Sequence, residues 1–161
     1  MITLRPSTPA DSARVLQIWR DAVDATHHFL SREDRLAIDA EVAAFLPSAP
    51  LELAVDQDDQ AIGFMLLDRS HMEALFIAPA HHGTGVGRRL VESALARHPT
   101  LTTDVNEQNL AATAFYERLG FARCGRSEGD GQGRAYPLVH LRFLRASALQ
   151  APDSATSRET P

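Results

Sequence analysis

Three glycines at alternate positions, Gly83, Gly85 and Gly87, stand between His82 and Arg88, just ahead of an apolar-periodic stretch. The first turn of a helix exposes unpaired backbone N–H groups and the positive end of the helix dipole. Glycines there let a phosphate approach the amides without side-chain obstruction. The chemistry this spacing supports is phosphate binding. A nucleotide P-loop requires Lys and then Ser or Thr after its last glycine, whereas Gly87 is followed by Arg88 and Arg89. A dinucleotide fingerprint requires G-x-G-x-x-G at a tight strand-to-helix turn. Here the glycines run G-x-G-x-G, and five residues separate Ile77 from Gly83. Asp104, about 20 residues downstream where a ribose acceptor would stand, does not rescue that spacing. A glycine-rich turn with no ligand stays open on these residues alone.

The elements that must position this loop follow from periodicity. Ile2 to Arg5 alternates and breaks at Pro6, and a helical pattern follows through Ala10, Ala13, Leu16, Ile18 and Trp19. A second helix runs from Ser31, a predicted N-cap, through Leu36, Ile38, Val42 and Leu46 to Pro47. Leu51 to Val55 and Ala61 to Leu67 read as a hairpin around the polar turn 56–60, and Met72 to Ile77 as a further strand. The glycine loop leads into a helix through Val86, Leu90, Val91, Ala94 and Leu95, ending near His98-Pro99. Leu101 to Val105 is a strand, and Leu110 to Leu119 a helix closed by Gly120. Two last strands lie near Phe121 to Ser127 and Tyr136 to Leu144. The order is strand, two helices, three strands, helix, strand, helix, two strands. The predicted class is α/β (α+β), a mixed, mostly antiparallel sheet of about seven strands with about four helices. One domain over 1–145 is expected for this length. Residues 146–161, rich in Ser, Ala, Thr and Pro without periodicity, are expected to be a disordered tail.

The segment His82-Gly83-Thr84-Gly85-Val86-Gly87-Arg88, preceded by Leu75-Phe76-Ile77 and Pro79, resembles motif A of the GNAT superfamily of acetyltransferases. The element order matches that fold from Ile2 to Leu144. Val23-Asp24-Ala25-Thr26-His27, Gly63-Phe64-Met65-Leu66-Leu67 and Val105-Asn106-Glu107-Gln108-Asn109 resemble the YjaB-type bacterial branch. The resemblance implies an acetyl-CoA-dependent N-acetyltransferase. In it, backbone groups of Leu75, Phe76 and Ile77 receive the pantetheine arm, and Gly83, Thr84, Gly85, Val86, Gly87 and Arg88 hold the pyrophosphate of coenzyme A. His82 stands where the family usually carries Gln or Arg. The same resemblance implies that Asn109 lies by the pantetheine arm and Tyr116 by the sulfur, since Asn109 through Tyr116 matches the family's Asn-x-x-Ala-x-x-x-Tyr helix.

Acetyl transfer to an amine requires a neutral nucleophile, a stabilised oxyanion and a proton for the leaving thiolate. Tyr116 is the acid the resemblance implies, and a phenol suits the role because it keeps its proton at neutral pH; taken alone it reads first as a core aromatic of the helix. For the base, His71 and Glu73 lie two apart on one strand, which strict alternation puts on one face. Asp104, ending the next strand, is a third candidate, and Glu73 is the first choice. The acceptor pocket is expected to draw on Thr26, His27, His28 and Phe29 and, from the turn before the last strand, on Tyr136.

Neither His27-His28 nor His81-His82 has the spacing of a helical zinc pair, so no metal is expected. The single cysteine, Cys124, forms no internal disulfide. With 161 residues, 44% apolar and 23% charged, and a net charge of -5, the composition suits a globular protein and speaks against nucleic-acid binding. No apolar run approaches the roughly 20 residues of a membrane span, and no secretory leader is apparent, so a cytoplasmic location is expected. The expected partner is a small amine or a protein lysine, with the chain a monomer or homodimer. A non-catalytic acyl-CoA-binding sensor or interaction module is the alternative reading.

Overall fold

The computed structural model describes residues 1–144, and the expected tail at 146–161 lies outside them. Seven strands and four α-helices follow in the expected order. They fall into two compact units, Met1–Ala96 and Arg97 onward.

The first unit contains β1 (Thr3–Pro6), α1 (Ser12–Thr26), α2 (Arg32–Phe45), β2 (Glu52–Val55), β3 (Ala61–Asp68), β4 (His71–Ile77) and α3 (Val86–Arg97), whose last residue begins the second unit. Neighbouring strands from β1 to β4 pair antiparallel. The turn between β2 and β3 is closed by Asp56, whose Oδ1 accepts from the amides of Asp58 and Gln60. Buried positions 15, 18, 19, 22 and 23 on α1 recur at helical spacing. Val15, Ile18, Trp19 and Val23 join Leu53, Phe64 and Leu66 in one apolar core. Ile18, Leu53 and Phe64 have no accessible surface, so truncating Phe64 to Ala would cost roughly 3–5 kcal/mol.

Helix α2 is attached differently. Ser31 caps it by accepting the Asp34 amide, as its position predicts, yet the helix buries no residue fully. Its partly buried Ile38 and Val42 pack on the core, and a polar network fastens the rest. Arg20 makes a two-pronged bond to Asp39, Arg35 bonds both Asp24 and Asp39, and the Arg35 guanidinium lies 5.0 Å from the Trp19 ring centre. The Arg20 bond holds the Asp39 carboxyl down to about 2, with Arg35 adding to it.

The second unit contains β5 (Thr102–Asn106), α4 (Leu110–Leu119), β6 (Phe121–Ser127) and β7 (Leu138–Phe143). Strand β7 lies between β5 and β6 and is antiparallel to both. Thr103, Val105, Val139 and Leu141 point inward by alternation. Tyr116, Phe121 and Phe143 form an edge-to-face aromatic series at 5.3 and 5.4 Å. Gly120 ends α4 with φ 110°, a left-handed cap that also keeps the backbone clear of the Phe143 ring.

Candidate active site

Gly83 and Gly85 have φ of 75° and 91°, and a Cβ built on either would meet no atom within 4 Å. Only glycine adopts these angles freely, so the sequence spends two of its nine glycines on an open, left-handed loop. Gly87 differs: it is buried in the first turn of α3. The Gly85 carbonyl accepts from the Arg89 amide at 3.0 Å, which makes Gly85 the helix cap. The amides of Val86, Gly87 and Arg88 therefore occupy the first turn of a 12-residue helix, where the dipole favours an anion. Thr84 Oγ1 tightens the loop by donating to the His81 carbonyl at 2.6 Å. Arg88 pairs with exposed Glu92, and Arg89 donates to the Ile2 carbonyl.

His82 Nε2 lies 2.8 Å from the Ile77 carbonyl oxygen. A carbonyl only accepts, so Nε2 donates, and the imidazole ties the loop back to the end of β4. Along β4, Leu75, Phe76 and Ile77 pair with Met65, Phe64 and Gly63. Gly63 makes room there, since a Cβ would lie 2.7 Å from Ile77 Cδ1.

The strict alternation expected for His71 and Glu73 ends at a bulge. Ala74 faces Leu66 and Met72 faces Leu67, leaving Glu73 as the extra residue. Glu73 consequently lines the same cleft as Ala74 and Phe76. This cleft, of about 560 Å³, is walled by Trp19, Phe45 and Phe64, with Asp68 and Glu73 as its carboxylates. His71 does not line it, and neither does any residue of the segment Thr26–Phe29. Within that segment Thr26 Oγ1 donates to the Ala22 carbonyl, so the 2.7 Å contact from His27 Nδ1 to Thr26 makes that nitrogen the donor. His27 also lies against Phe29, and burial, with the neighbouring His28 adding to it, lowers its basicity.

In the second unit Asn109 is the N-cap of α4, its Oδ1 accepting from the Ala112 amide at 3.1 Å. Tyr116 is buried, and its hydroxyl hydrogen-bonds with the side chain of Thr103. Burial raises the phenol well above its ordinary range and the Thr103 bond offsets only part of that, so the group is protonated at any physiological pH. Tyr136 stands half-buried just before β7. Asp104 is engaged with a residue the sequence reading missed: His140 Nδ1 lies 2.6 Å from Asp104 Oδ1, and His140 Nε2 lies 2.6 Å from Ser127 Oγ. The available signal was alternation alone, which turns His140 outward between Val139 and Leu141.

A family model for the acetyltransferase (GNAT) domain matches residues 27–136. The chain belongs to the GNAT acetyltransferase family. It is 50% identical over 146 residues to the peptidyl-lysine N-acetyltransferase YjaB of Escherichia coli (strain K12), a match covering 91% of this chain and 99% of that protein. It is also 50% identical over 141 residues to the Salmonella typhimurium protein of the same name, covering 88% of this chain and 97% of that one. The solution structure of apo-form YjaB from Escherichia coli superposes with a TM-score of 0.87 over 91% of this chain and 99% of that chain. This GNAT chain is an acetyl-CoA-dependent N-acetyltransferase. Its own residues fit the coenzyme: two left-handed glycines with clear space above them and a first turn of backbone amides suit a diphosphate.

Proposed function

We propose that this acetyltransferase acts on the ε-amine of protein lysines, and that residues 1–145 form its single catalytic domain, working in the cytoplasm. The observation that carries the acceptor is the 50% identity, over 91% of the chain, to a protein named as a peptidyl-lysine N-acetyltransferase. The cleft beside Glu73 supports it, because aromatic and aliphatic walls suit a lysine's methylene stem while Asp68 and Glu73 attract its ammonium.

When bound, acetyl-CoA supplies an activated acetyl carbonyl and a thiolate leaving group. The amides of the loop 83–88 hold the diphosphate, and His82 keeps the loop in register with β4. Leu75, Phe76 and Ile77 offer backbone groups to the pantetheine arm, and Asn109 fixes the start of the helix that carries Tyr116. Tyr116 donates the proton that the thiolate needs. Its burial keeps that proton on the phenol at neutral pH. Thr26, His27, His28, Phe29 and Tyr136 contribute the remaining acceptor contacts.

The test is thiol release from acetyl-CoA against lysine peptides, polyamines, free amino acids and amine antibiotics, with mass spectrometry locating the acetyl group. Lysine peptides should be turned over with the highest kcat/KM, and a small amine preferred by tenfold or more would overturn the acceptor assignment. Tyr116→Phe should lower kcat by roughly 10²-fold while acetyl-CoA still protects the variant from heat. Full activity in that variant would sink Tyr116 as the acid.

A further inference from the structure

The cleft beside Glu73 is larger than a lysine side chain requires. Four methylenes and an ammonium occupy on the order of 150 Å³, taking about 30 Å³ per group, the share of one water in the liquid. The cleft has a volume of about 560 Å³, so the lysine fills roughly a quarter of it. Charge is confined to one part of the lining. Asp68, which ends β3, and Glu73, at the β4 bulge, are both exposed, and the other lining side chains are hydrophobic. Trp19, Phe64 and Leu66 form its buried part, while Phe45 and Pro50 stand exposed.

Phe45 keeps 54% of its surface although the residue after it, Leu46, belongs to the buried core. A single exposed phenylalanine is ordinary, but one continuous with an apolar cleft extends a binding surface. Its backbone is also held in place. Leu46 anchors the chain, Ser48 Oγ donates to the Phe45 carbonyl at 3.3 Å, and the Ala49 amide donates to the Leu46 carbonyl at 3.1 Å. A ligand therefore meets Phe45 already positioned, which lowers the ordering cost of binding.

We propose that the cleft takes two side chains of the acceptor, the target lysine and a large apolar residue within two positions of it in the peptide, with Phe45 selecting the second. This rests on the reading of the protein as a lysine acetyltransferase. The ammonium stands against Asp68 and Glu73, and the apolar neighbour covers Phe45 and Pro50. A neighbouring aspartate or glutamate is rejected on two counts, because the cleft carboxylates repel it and the hydrocarbon wall leaves its charge unpaired. A glycine in its place leaves the Phe45 ring in water.

The experiment measures kcat/KM with acetyl-CoA for peptides that carry Leu, Phe, Gly or Asp at each of the two positions on either side of the lysine. The enzymes are the wild type, Phe45→Ala and Phe45→Leu. At one or more of these positions the wild type should prefer Leu or Phe to Gly by about tenfold, chiefly through KM, and should prefer them to Asp by more. In Phe45→Ala the Leu-to-Gly ratio should fall below about threefold, while Phe45→Leu, which keeps an apolar side chain, should retain most of the preference. The ratio is taken within each enzyme, so a general loss of activity does not move it. Phe45 is exposed, and protection from heat by acetyl-CoA should match the wild type in both variants. A wild type indifferent to the neighbour, or a preference that survives intact in Phe45→Ala, overturns the inference while leaving lysine as the acceptor. A wild type that releases thiol only with small amines, and with no lysine peptide, overturns the acceptor reading and this inference with it.

Discussion

The loop 82–88 and the outward face of β5, β7 and β6 both gather polar groups, and they do so by opposite means. The loop works through the backbone. Its donors are consecutive amides, and its side chains serve mainly to shape it, Thr84 by bonding the His81 carbonyl and His82 by bonding that of Ile77. The strand face works through side chains brought together over 13 and 36 positions of sequence. A backbone site is written in consecutive residues and tolerates exchange of its side chains, provided the glycine angles survive. A side-chain site depends on register, and a single added carbon beneath it disturbs it.

The largest effect that would sharpen this contrast lies in the loop. Gly85→Val forces a β-branched residue to φ near 91°, at a strain of order 1–3 kcal/mol. Taken out of cofactor binding, that strain should raise the KM for acetyl-CoA by about tenfold or more, with kcat at saturation much less affected. Titration by calorimetry or steady-state kinetics checks it, and an unchanged KM would mean that the amides are not the diphosphate site.

An intermediate effect concerns the side-chain network of the first unit, which holds a helix rather than a ligand. Asp39 has its carboxyl held at about 2, against an ordinary value of 3.8, first by Arg20 and then by Arg35. A depressed carboxyl contributes stability that is full above the unfolded value and fades as pH falls through the folded one. The contribution should therefore vanish between about pH 4 and pH 2. Acid unfolding followed by circular dichroism should show Asp39→Asn less stable than the wild type at pH 7 and converging with it near pH 2.

The smallest expected effect could break the contrast. Arg88→Ala removes an exposed helical pair with Glu92, worth roughly 0.3–0.5 kcal/mol, and should change the KM for acetyl-CoA less than threefold. A large rise would give the loop a side-chain component that the backbone account omits.

The two sites also differ in how far they could be read from sequence. The loop was legible because left-handed glycines and a following helix are local signals, and Ser31 and Gly120 announced their caps for the same reason. The pairing of β2 with β3 followed from a short polar turn, whereas that of β1 with β2 spans two helices and had no local signal. Glu73 was only half legible: its strand was evident, but the bulge that turns it into the cleft depends on pairing with Leu66 and Leu67. His140 and Ser127 carried no local mark, because what brings them together is the register of β7 between two partners. The roles proposed for Asn109 and Tyr116 rest on family resemblance, and what the fold adds is their immediate partners, Ala112 and Thr103.

Helix α2 supplies Val42 and Phe45 to the cleft, yet it buries no residue of its own completely and leans on Arg20 and Arg35 for its attachment. Bonds of that kind answer to ionic strength, whereas the apolar seam of α1 does not. One wall of the cleft is thus fastened in part by contacts that dissolved salt loosens, so the width of the cleft is coupled to the electrolyte around the protein.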